Sequence, residues 1–432
     1  MKRALVFVIL LAAAFPAGAS ALTMDEAVAL ALENSHLIKQ YGYLHEEALE
    51  GVGSARSGFW PTLGTGYEFY RTDREVLFQG NSTSALQVEA AYNLFKGFSD
   101  ISALREARSR AEAQGYRRDS VTADVVLNTR LAYVGVLRAR RAVETAREGV
   151  ELLERQLRDN RLFYREGLIP KNELLKVEVE LASARQDLIQ AEGDYQVARR
   201  RLERVMGVPV AAEEAVEDFE GLPDIADYSF DSLRQMMLER RSELAYLRSL
   251  NAADAHRIGS IKGGYYPSVD LSVSYTSYGQ EWVPDGDKPL FGDEVRGTVS
   301  MSWSLFDGFR KRHEVGAAKA AIRAREQELA DAEEELTLQL RQALEDYRAA
   351  AARLEASRAA VGQAEENYRV TRNRFEQTVA TTTDLLDARV FLTRARTQFN
   401  GAVYDVHAAS ARIARVIEEP SAPPGEPPAQ SP

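Results

Sequence analysis

Two carboxylates, Asp384 and Asp387, form the pair whose spacing points most clearly to chemistry. Three positions apart, they share one face of a predicted helix. Carboxylates crowded together raise each other's pKa and attract cations. Asp384 also suits the first turn of a helix, where the helix dipole favours negative charge. The pair therefore predicts either a site that attracts cations or a solvated helix start.

No other set of residues has the spacing of a catalytic or metal site. The sequence contains no Cys, which excludes disulfides, thiolate metal sites and a lipidated N-terminal Cys. It has no Gly-rich phosphate loop after a strand. We therefore predict no enzyme activity, no catalytic residue, no metal site and no cofactor. The five histidines are scattered: His36, His45, His256, His313 and His407.

The charge of the chain limits its partners. The 432 residues include 54 basic and 65 acidic side chains, for a formal net charge of −11. Nucleic-acid binders are normally basic, so we predict no nucleic-acid partner. Length alone favours two or three globular domains, but the long heptad pattern of the second half contradicts that expectation.

The N-terminus predicts a secretory signal peptide, residues 1–21. Lys2 and Arg3 form its positive region, residues 4–15 its apolar region, and residues 19–21 a small-residue cleavage site. An uncleaved membrane anchor is the alternative, but the apolar run is too short to span a bilayer comfortably. We therefore expect the mature protein to be exported.

One long helix, from about Asp307 to Phe375, dominates the second half of the chain. It contains no Pro, and at about 1.5 Å per residue it would be a rod about 100 Å long. Apolar residues recur every seven positions, with mostly small residues three positions later, which is a seam for packing against other helices. The first row is Leu340, Tyr347, Leu354, Val361, Tyr368 and Phe375, and the second is Ala343, Ala350, Ser357, Ala364 and Thr371.

The long helix has a copy 211 residues earlier, so the chain is an internal duplication. The same offset relates the Leu-Phe-x-Gly-Phe segment at Leu305 to the one at Leu94. Each repeat predicts an opening helix, a β-hairpin and a long helical hairpin. We place repeat 1 at residues 22–210, a linker at 211–228, repeat 2 at 229–418 and a disordered Pro-rich tail at 419–432.

Four stretches of about ten residues alternate apolar and polar side chains, the length and pattern of transmembrane β-strands. An ordinary antiparallel sheet on a core is the alternative, but no other segment could cover the apolar face. Aromatic residues also cluster at the strand ends, as in membrane-interface girdles. The apolar positions include Leu63, Tyr67, Phe69, Leu86, Val88, Tyr92, Val269, Leu271, Val273, Tyr275, Val295, Val299, Met301 and Trp303.

Four strands are too few to close a barrel. Open sheet edges are not tolerated in hydrocarbon, so closure needs several chains. Three chains would supply twelve strands, a number within the range of outer-membrane barrels. We place the hairpin loops at residues 79–82 and at about 280–293, with the longer loop facing outward.

Over about residues 22–418 the sequence resembles the TolC family of outer-membrane efflux channels. Residues 22–27 after the signal, an aromatic-Pro pair before each first strand, and the Leu-Phe-x-Gly-Phe entry to each long helix carry the resemblance. Residues 383–388, Thr-Asp-Leu-Leu-Asp-Ala, match the segment after the second tip. Each motif alone is weak, whereas their duplicated order with fixed spacing is specific.

The resemblance implies a mainly α fold with transmembrane β: a homotrimer with one 12-stranded β-barrel, four strands per chain, in the lipid of a Gram-negative outer membrane. Its helices would continue as a long periplasmic α-helical barrel. The tips would meet a periplasmic adaptor protein, which links the duct to an inner-membrane pump of the RND, ABC or MFS type. The duct would be a passive exit for small molecules or proteins, in a tripartite efflux pump or a type I secretion system.

The resemblance also implies a gate at the periplasmic mouth. In the family, acidic residues just past the second tip form a constriction, and Asp384 and Asp387 match them. Three copies would place six carboxylates around one axis, which favours cations. Phe375 occupies the position of an aromatic in the gate, but it also completes the heptad seam, so core packing is the alternative.

The implied adaptor contacts are Gly167 and Leu168 at the first tip and Thr378 and Val379 at the second. Gly167 and Leu168 fit part of the family's Val-Gly-Leu motif. Thr378 stands where the family has Gly, and Ala380 stands where the gate can have a basic residue. Plain turn chemistry is the alternative role for Gly167.

Two other classes of protein also have long helices. A periplasmic adaptor has long helical hairpins, but it would need a lipoyl-like β module split around a single hairpin. A secreted coiled-coil structural protein would leave the amphipathic strands unexplained. The duplicated strands therefore favour the exit duct over both alternatives.

Overall fold

The computed structural model describes residues 21–76, 80–210, 216–223, 229–286, 292–377 and 379–419. Almost all of the predicted signal peptide and Pro-rich tail lies outside these ranges, as does Thr378 of the second tip.

The helices and strands follow the same order twice, which confirms the predicted duplication. Repeat 1 contains α1 (Met24–Asn34), α2 (His36–Ser57), β1 (Thr62–Val76), β2 (Gly80–Lys96), α3 (Ser99–Arg165) and α4 (Lys171–Met206). Repeat 2 contains α5 (Phe230–Arg240), α6 (Ser242–Gly263), β3 (Ser268–Gly279), β4 (Glu294–Ser302), α7 (Arg310–Glu376) and α8 (Thr382–Val416).

The long helices α3 and α7 each contain 67 residues, and α7 lies close to its predicted bounds. The heptad seam is their buried stripe, because the side chains at this spacing return to the same face. In α7 the buried seam residues are Leu340, Ala343, Ala350, Leu354, Ser357 and Phe375.

The opening helix of each repeat is two helices, where the sequence predicted one. The breaks fall at Ser35 (φ −56°, ψ 121°) and Arg241 (φ −62°, ψ 115°), which are equivalent positions in the two repeats. Neither residue is Pro or Gly, so no local breaker marks the site. The break is held instead by the ends of α4 and α8, which pack against it.

The four strands form one antiparallel sheet in the order β1-β2-β3-β4. Its register places Tyr67 opposite Leu86, Leu86 opposite Ser277, and Tyr275 opposite Val295. Successive side chains point to opposite faces of a sheet, so the apolar positions of all four strands share one face. Within the described residues the outer edges of β1 and β4 pair with no other strand.

The strands of repeat 1 are longer than the predicted ten residues. β1 has 15 residues and β2 has 17. The ladder continues past an irregularity after Arg71 to pair Val76 with Gly80, so residues 80–82 belong to β2 and the predicted loop there was wrong. Gln79 lies outside the described residues. The loop of repeat 2 follows Gly279 and ends before Glu294, as predicted.

The helices lie side by side in two sets of neighbours. In the half nearer the sheet, α3 packs between α2 and α6, and α6 packs on α7. In the half nearer the tips, α3 packs between α4 and α8, and α8 packs on α7. α3 and α7 thus run through both halves, and α7 lies at one side of the set throughout.

The segment between the repeats crosses the middle of the helices and holds Leu22, near the start of the described residues. Val216 forms a parallel bridge with Leu22, and the N–H of Glu217 donates to the Leu22 carbonyl at 3.0 Å. The hydroxyl of buried Tyr133 lies 2.9 Å from the Leu22 carbonyl and 2.7 Å from that of Glu217. Burial raises the pKa of Tyr133, which keeps this hydroxyl protonated as a donor.

Side chains of both repeats also hold this segment. Asp218 accepts hydrogen bonds from Arg140 at 3.2 Å and Arg141 at 2.8 Å, and Phe219 stacks on His407 with ring centroids 3.7 Å apart. Residues 211–215 and 224–228 of the predicted linker lie outside the described ranges. No described helix is both long enough and apolar enough to span a lipid bilayer.

Candidate functional site at the hairpin tips

The first turn of α8 positions Asp384. Thr381 is the N-cap: its hydroxyl accepts from the N–H of Asp384 at 3.1 Å, and the Asp384 carboxylate accepts from the Thr381 N–H at 2.9 Å and hydroxyl at 2.8 Å. This reciprocal capping box satisfies donors that a helix start leaves unpaired. The hydrogen bonds from Thr381 lower the pKa of Asp384, so its carboxylate is ionised at neutral pH.

Asp387 lies one turn further along α8 and is exposed, as is Asp384. Within the described residues, the carboxylate of Asp387 makes no hydrogen bond or ion pair. The structure thus places both predicted carboxylates on the surface of the second tip. The Asp384 carboxylate takes part in the helix capping box and also carries a charge. The Asp387 carboxylate has no partner among the described residues.

Phe375 occupies the heptad seam at the end of α7. Its side chain is 6% exposed and its ring lies 5.9 Å from that of Phe163 on α3. The equivalent of Phe375 in repeat 1 is Tyr164, which is 40% exposed. The aromatic pair between the hairpins therefore uses Phe163, one residue away from the duplicated seam.

The two tips close in the same way. At the first tip, the N–H of Leu168 donates to the Phe163 carbonyl at 2.8 Å, around Gly167 with φ +73°. At the second, the N–H of Val379 donates to the Arg374 carbonyl at 2.8 Å. These are the six-residue bonds of a helix C-terminal turn. Leu168 is 59% exposed and Val379 is 64% exposed, so each tip presents an apolar side chain to solvent.

The two hairpins are joined beside the second tip. Asn160 of α3 donates to the Thr382 hydroxyl at 3.3 Å, and Lys176 of α4 donates to the Thr383 hydroxyl at 2.9 Å. Leu386 of α8 then packs into the apolar cluster of the first hairpin. That cluster contains Val150, Leu153, Leu157, Val177 and Leu181.

Arg389 is a residue of this site that the sequence analysis did not single out. Its side chain is 8% exposed and pairs with Glu180 of α4 at 3.1 Å. Burial lowers the pKa of Arg389, although the Glu180 charge opposes the shift. Its signal in the sequence was a charged residue within an apolar stripe, four positions after Leu385 and three before Leu392.

The described part of the chain contains no group of three or more His, Asp or Glu side chains that could hold a metal ion. What the tip arrangement provides is exposed negative charge at the start of α8, held between two coupled hairpins.

A family model described as outer membrane efflux protein matches residues 27–208 and 233–417. The chain belongs to the outer membrane efflux protein family. The two matched segments coincide with the two repeats, one match to each. The resemblance to TolC-like channels is thereby confirmed, and so is the location in the outer membrane with an extension into the periplasm.

Curated relatives match most of the chain. Protein CyaE of Bordetella pertussis is 27% identical over 343 residues, covering 78% of this chain and 71% of that protein. Alkaline protease secretion protein AprF of Pseudomonas aeruginosa is 23% identical over 425 residues, covering 93% and 86%. Outer membrane protein TolC of Escherichia coli is 22% identical over 375 residues, covering 83% and 75%.

Solved structures have the same fold. The outer-membrane channel OprN superposes with a TM-score of 0.81 at 15% identity, covering 93% of this chain and 91% of that one. The outer membrane protein VceC of Vibrio cholerae gives 0.76 at 16% identity, covering 91% and 95%. These likenesses confirm the predicted fold class: a mainly helical chain with four strands and two repeats. The family match favours an outer-membrane channel over the adaptor and coiled-coil alternatives.

Proposed function

We propose that three copies of the chain assemble into a passive exit duct through the outer membrane. The observation that carries the proposal is the open sheet: four strands, an apolar face, and edges of β1 and β4 that pair with no other strand in the described part of the chain. In hydrocarbon every backbone polar group needs a partner, so β4 of one copy would pair with β1 of the next. Three copies give twelve strands, within the range of known outer-membrane barrels.

The helices support the same assembly. α7 lies at one side of the set of helices, while α2 and α4 lie at the other. Exposed apolar residues on α4, including Val179 at 68% and Ile189 at 69%, need cover that one copy does not provide. α7 of the next copy would supply it, which continues the barrel as a hollow helical cylinder in the periplasm.

We place this duct in a tripartite efflux pump or a type I secretion system, with a periplasmic adaptor and an inner-membrane pump as partners. The family description favours efflux, whereas the name of AprF, an alkaline protease secretion protein, favours export of proteins. The exposed Leu168 and Val379, with Gly167 and Thr378 beside them, would form the adaptor contacts. Replacing both exposed residues by Asp should abolish adaptor co-purification while the trimer persists.

For the periplasmic mouth we propose a gate made by Asp384 and Asp387, six carboxylates in three copies, with Phe375 packed behind them. In each chain the hydrogen bonds from Thr381 lower the pKa of Asp384, which opposes the rise that neighbouring carboxylates would cause. Charge of one sign around a narrow axis attracts cations and lets multivalent cations block the pore. Arg389 with Glu180 would hold the second hairpin against the first.

Assembly is tested by fractionation and heat-modifiable gel mobility of the full chain. A trimer in the outer-membrane fraction that dissociates on boiling is expected, with an N-terminus after residue 21 if the proposed signal peptide is removed. Recovery as a soluble monomer would overturn the duct.

The gate is tested in planar bilayers with Asp384→Asn combined with Asp387→Asn. Asn at 384 keeps an acceptor for Thr381, so the capping of α8 is retained while the charge is lost. Conductance should rise and block by multivalent cations should weaken. The matched control is Asp331→Asn with Glu334→Gln, an exposed pair at the same spacing in α7. Equal behaviour of the two variants would reject the gate.

A further inference from the structure

The described first part of the loop after β3, residues 280–286, folds back over the strands. The Trp282 ring stacks on Phe69 of β1, with centroids 3.9 Å apart and planes at 18°. The Tyr67 hydroxyl donates to the Trp282 carbonyl at 2.5 Å. Because β2 lies between β1 and β3, the loop must cross β2 to make these contacts.

The crossing takes place on the apolar face of the sheet. Phe69 pairs with Ser84, and Ser84 with Gly279, so these positions share the face of Tyr67. The loop lies close to that face: a Cβ on Gly279 would be 2.5 Å from the Val283 carbonyl oxygen.

The far end of the loop attaches to the same face. Asp293 accepts hydrogen bonds from the Tyr275 hydroxyl at 2.6 Å and the Ser277 hydroxyl at 2.8 Å. Tyr275 and Ser277 point to the side on which Phe69 lies, since they alternate with the polar positions of β3. Both described ends of the loop are therefore fastened to the outside of the sheet.

The loop leaves an apolar patch at the end of the sheet away from the helices. Trp282 is 71% exposed and Val283 is 69% exposed, beside Tyr67 at 49% and Val295 at 73%. The aromatic cluster noted in the sequence lies at the other end of the strands, for example Trp60 and Trp303.

The distance between these two aromatic regions suits a membrane. β3 has 12 residues, which at about 3.3 Å each extend about 40 Å. At a tilt of about 40° that length rises about 30 Å, slightly more than the apolar band of an outer-membrane barrel. The loop therefore lies at the outer boundary of the hydrocarbon layer.

We propose that this loop is a lipid-contact element: it docks on the lipid-facing wall of its own strands and places Trp282 at the headgroup boundary of the outer leaflet. Trp282 then contributes to a second aromatic girdle at that boundary. Trp is favoured at that depth because its ring is apolar and its N–H is polar. The inference rests on the proposed barrel, which defines the apolar face as the lipid side.

The test is Trp fluorescence of the reconstituted trimer in phosphatidylcholine vesicles. The variant Trp60→Phe with Trp303→Phe leaves Trp282 as the single Trp residue, since the chain has three. Lipids brominated near the headgroup should quench its emission more than lipids brominated near the chain terminus. Aqueous iodide should quench it only weakly.

A second single-Trp chain separates this inference from the barrel itself. It carries Val273→Trp and Trp282→Phe in the same background, with the new residue in the middle of the apolar face. Deep bromine should quench Val273→Trp if the sheet spans the bilayer. Loss of that signal would count against the barrel, whereas its presence with Trp282 quenched by iodide, or by nothing, would overturn the loop assignment alone.

Gly279→Ala provides a variant that disturbs the loop without touching Trp282. The added Cβ would meet the Val283 carbonyl, so the loop should lift from the wall and quenching of Trp282 by iodide should increase. Gly297→Ala in β4 is the matched control, because a Cβ there meets nothing within 4 Å. Identical quenching in the two variants would contradict the docked loop.

Discussion

The two repeats close the same break in their opening helix with different chemistry. In repeat 1, α4 is followed by Gly207 at φ +74°. A Cβ on Gly207 would lie 2.8 Å from the Asn34 carbonyl oxygen, so this close approach requires glycine. The side chains around it are apolar and buried, among them Ala31 and Met206. Close packing therefore holds the break of repeat 1. We call the set of contacts that holds each break its seal.

In repeat 2 the residue equivalent to Gly207 is Glu418, at φ +45°. A left-handed conformation costs a non-glycine residue about 1–2 kcal/mol. The Glu418 carboxylate offsets this cost, because it accepts hydrogen bonds from the N–H of Ser242 at 3.0 Å and from its hydroxyl at 2.7 Å. The start of α6 after the break is thus capped by a residue from the end of α8.

Buried charges complete the seal of repeat 2. Arg415 is 5% exposed and pairs with Asp124 at 2.7 Å, Glu243 at 2.6 Å and Glu418 at 3.2 Å. Asp124 belongs to α3, so this network also ties repeat 2 to repeat 1. The same backbone geometry is thus held by apolar packing in repeat 1 and by ion pairs in repeat 2. Of the two seals, only the ionic one is sensitive to pH.

The largest difference between the seals should appear in Arg415→Met. Removing one partner of a buried ion pair leaves uncompensated charge and costs about 3–5 kcal/mol. We expect a clear fall in the thermal unfolding temperature of the detergent-solubilised trimer, followed by helix circular dichroism. The control Arg358→Met removes an exposed pair with Glu355, which is worth about 0–1 kcal/mol. Equal shifts would mean that the network does not stabilise the seal.

Gly207→Ala tests the packed seal. The left-handed φ and the clash with Asn34 should cost about 1–3 kcal/mol. Gly362→Ala in α7 is the control: its Cβ meets nothing within 4 Å, and replacing a helical Gly stabilises by about 0.5–1 kcal/mol. The two substitutions should therefore shift the same unfolding temperature in opposite directions, and a neutral Gly207→Ala would remove the packing account.

A smaller effect should appear in the pH dependence of stability, which we expect for the seal of repeat 2 but not for that of repeat 1. Burial works to raise the pKa of Glu243, but the charges of Arg241 and Arg415 outweigh it and hold that pKa below its usual range. A lowered pKa stabilises the fold above the unfolded value and loses this contribution as pH falls through the folded value. The stability advantage of the wild type over Glu243→Gln should therefore be full above about pH 4.5 and shrink below it.

Two neighbouring groups enter that measurement. Burial raises the pKa of Glu418, so its own contribution is present at low pH and is lost as pH rises. Asp124 faces the same arginine. Glu243→Gln also removes a charge that helps to raise the pKa of Glu418, so the measured difference reports the two carboxylates together. A stability advantage of the wild type that does not change with pH would contradict the ionic account.

The sequence was most informative where one periodicity ran for many turns. The heptad seam predicted α7 almost to its ends, because each buried residue repeats the same choice of face. The duplication and the four strands followed from patterns of the same kind. The breaks at Ser35 and Arg241 could not be predicted, since they depend on Gly207 and Glu418 packing against them from far along the chain.

At the tips, the sequence predicted the positions of the charged and aromatic residues but not which side chains contact them. The prediction that Asp384 suits a helix start is confirmed by its capping box with Thr381. The pairing of Phe163 with Phe375 differs by one residue from the duplicated register, and the heptad repeat alone does not encode this contact between hairpins. The roles of Asp384 and Asp387 in a gate stay a prediction.

The contact of Tyr133 with Leu22 and Glu217 makes repeat 1 depend on the segment that connects the repeats. A polypeptide ending at residue 210 would lack the Val216 bridge to Leu22, and Tyr133 would keep only one of its two carbonyl neighbours. The beginning of the connecting segment is thus part of the packed structure of repeat 1. The segment that joins the two repeats therefore also completes the hydrogen bonding of repeat 1.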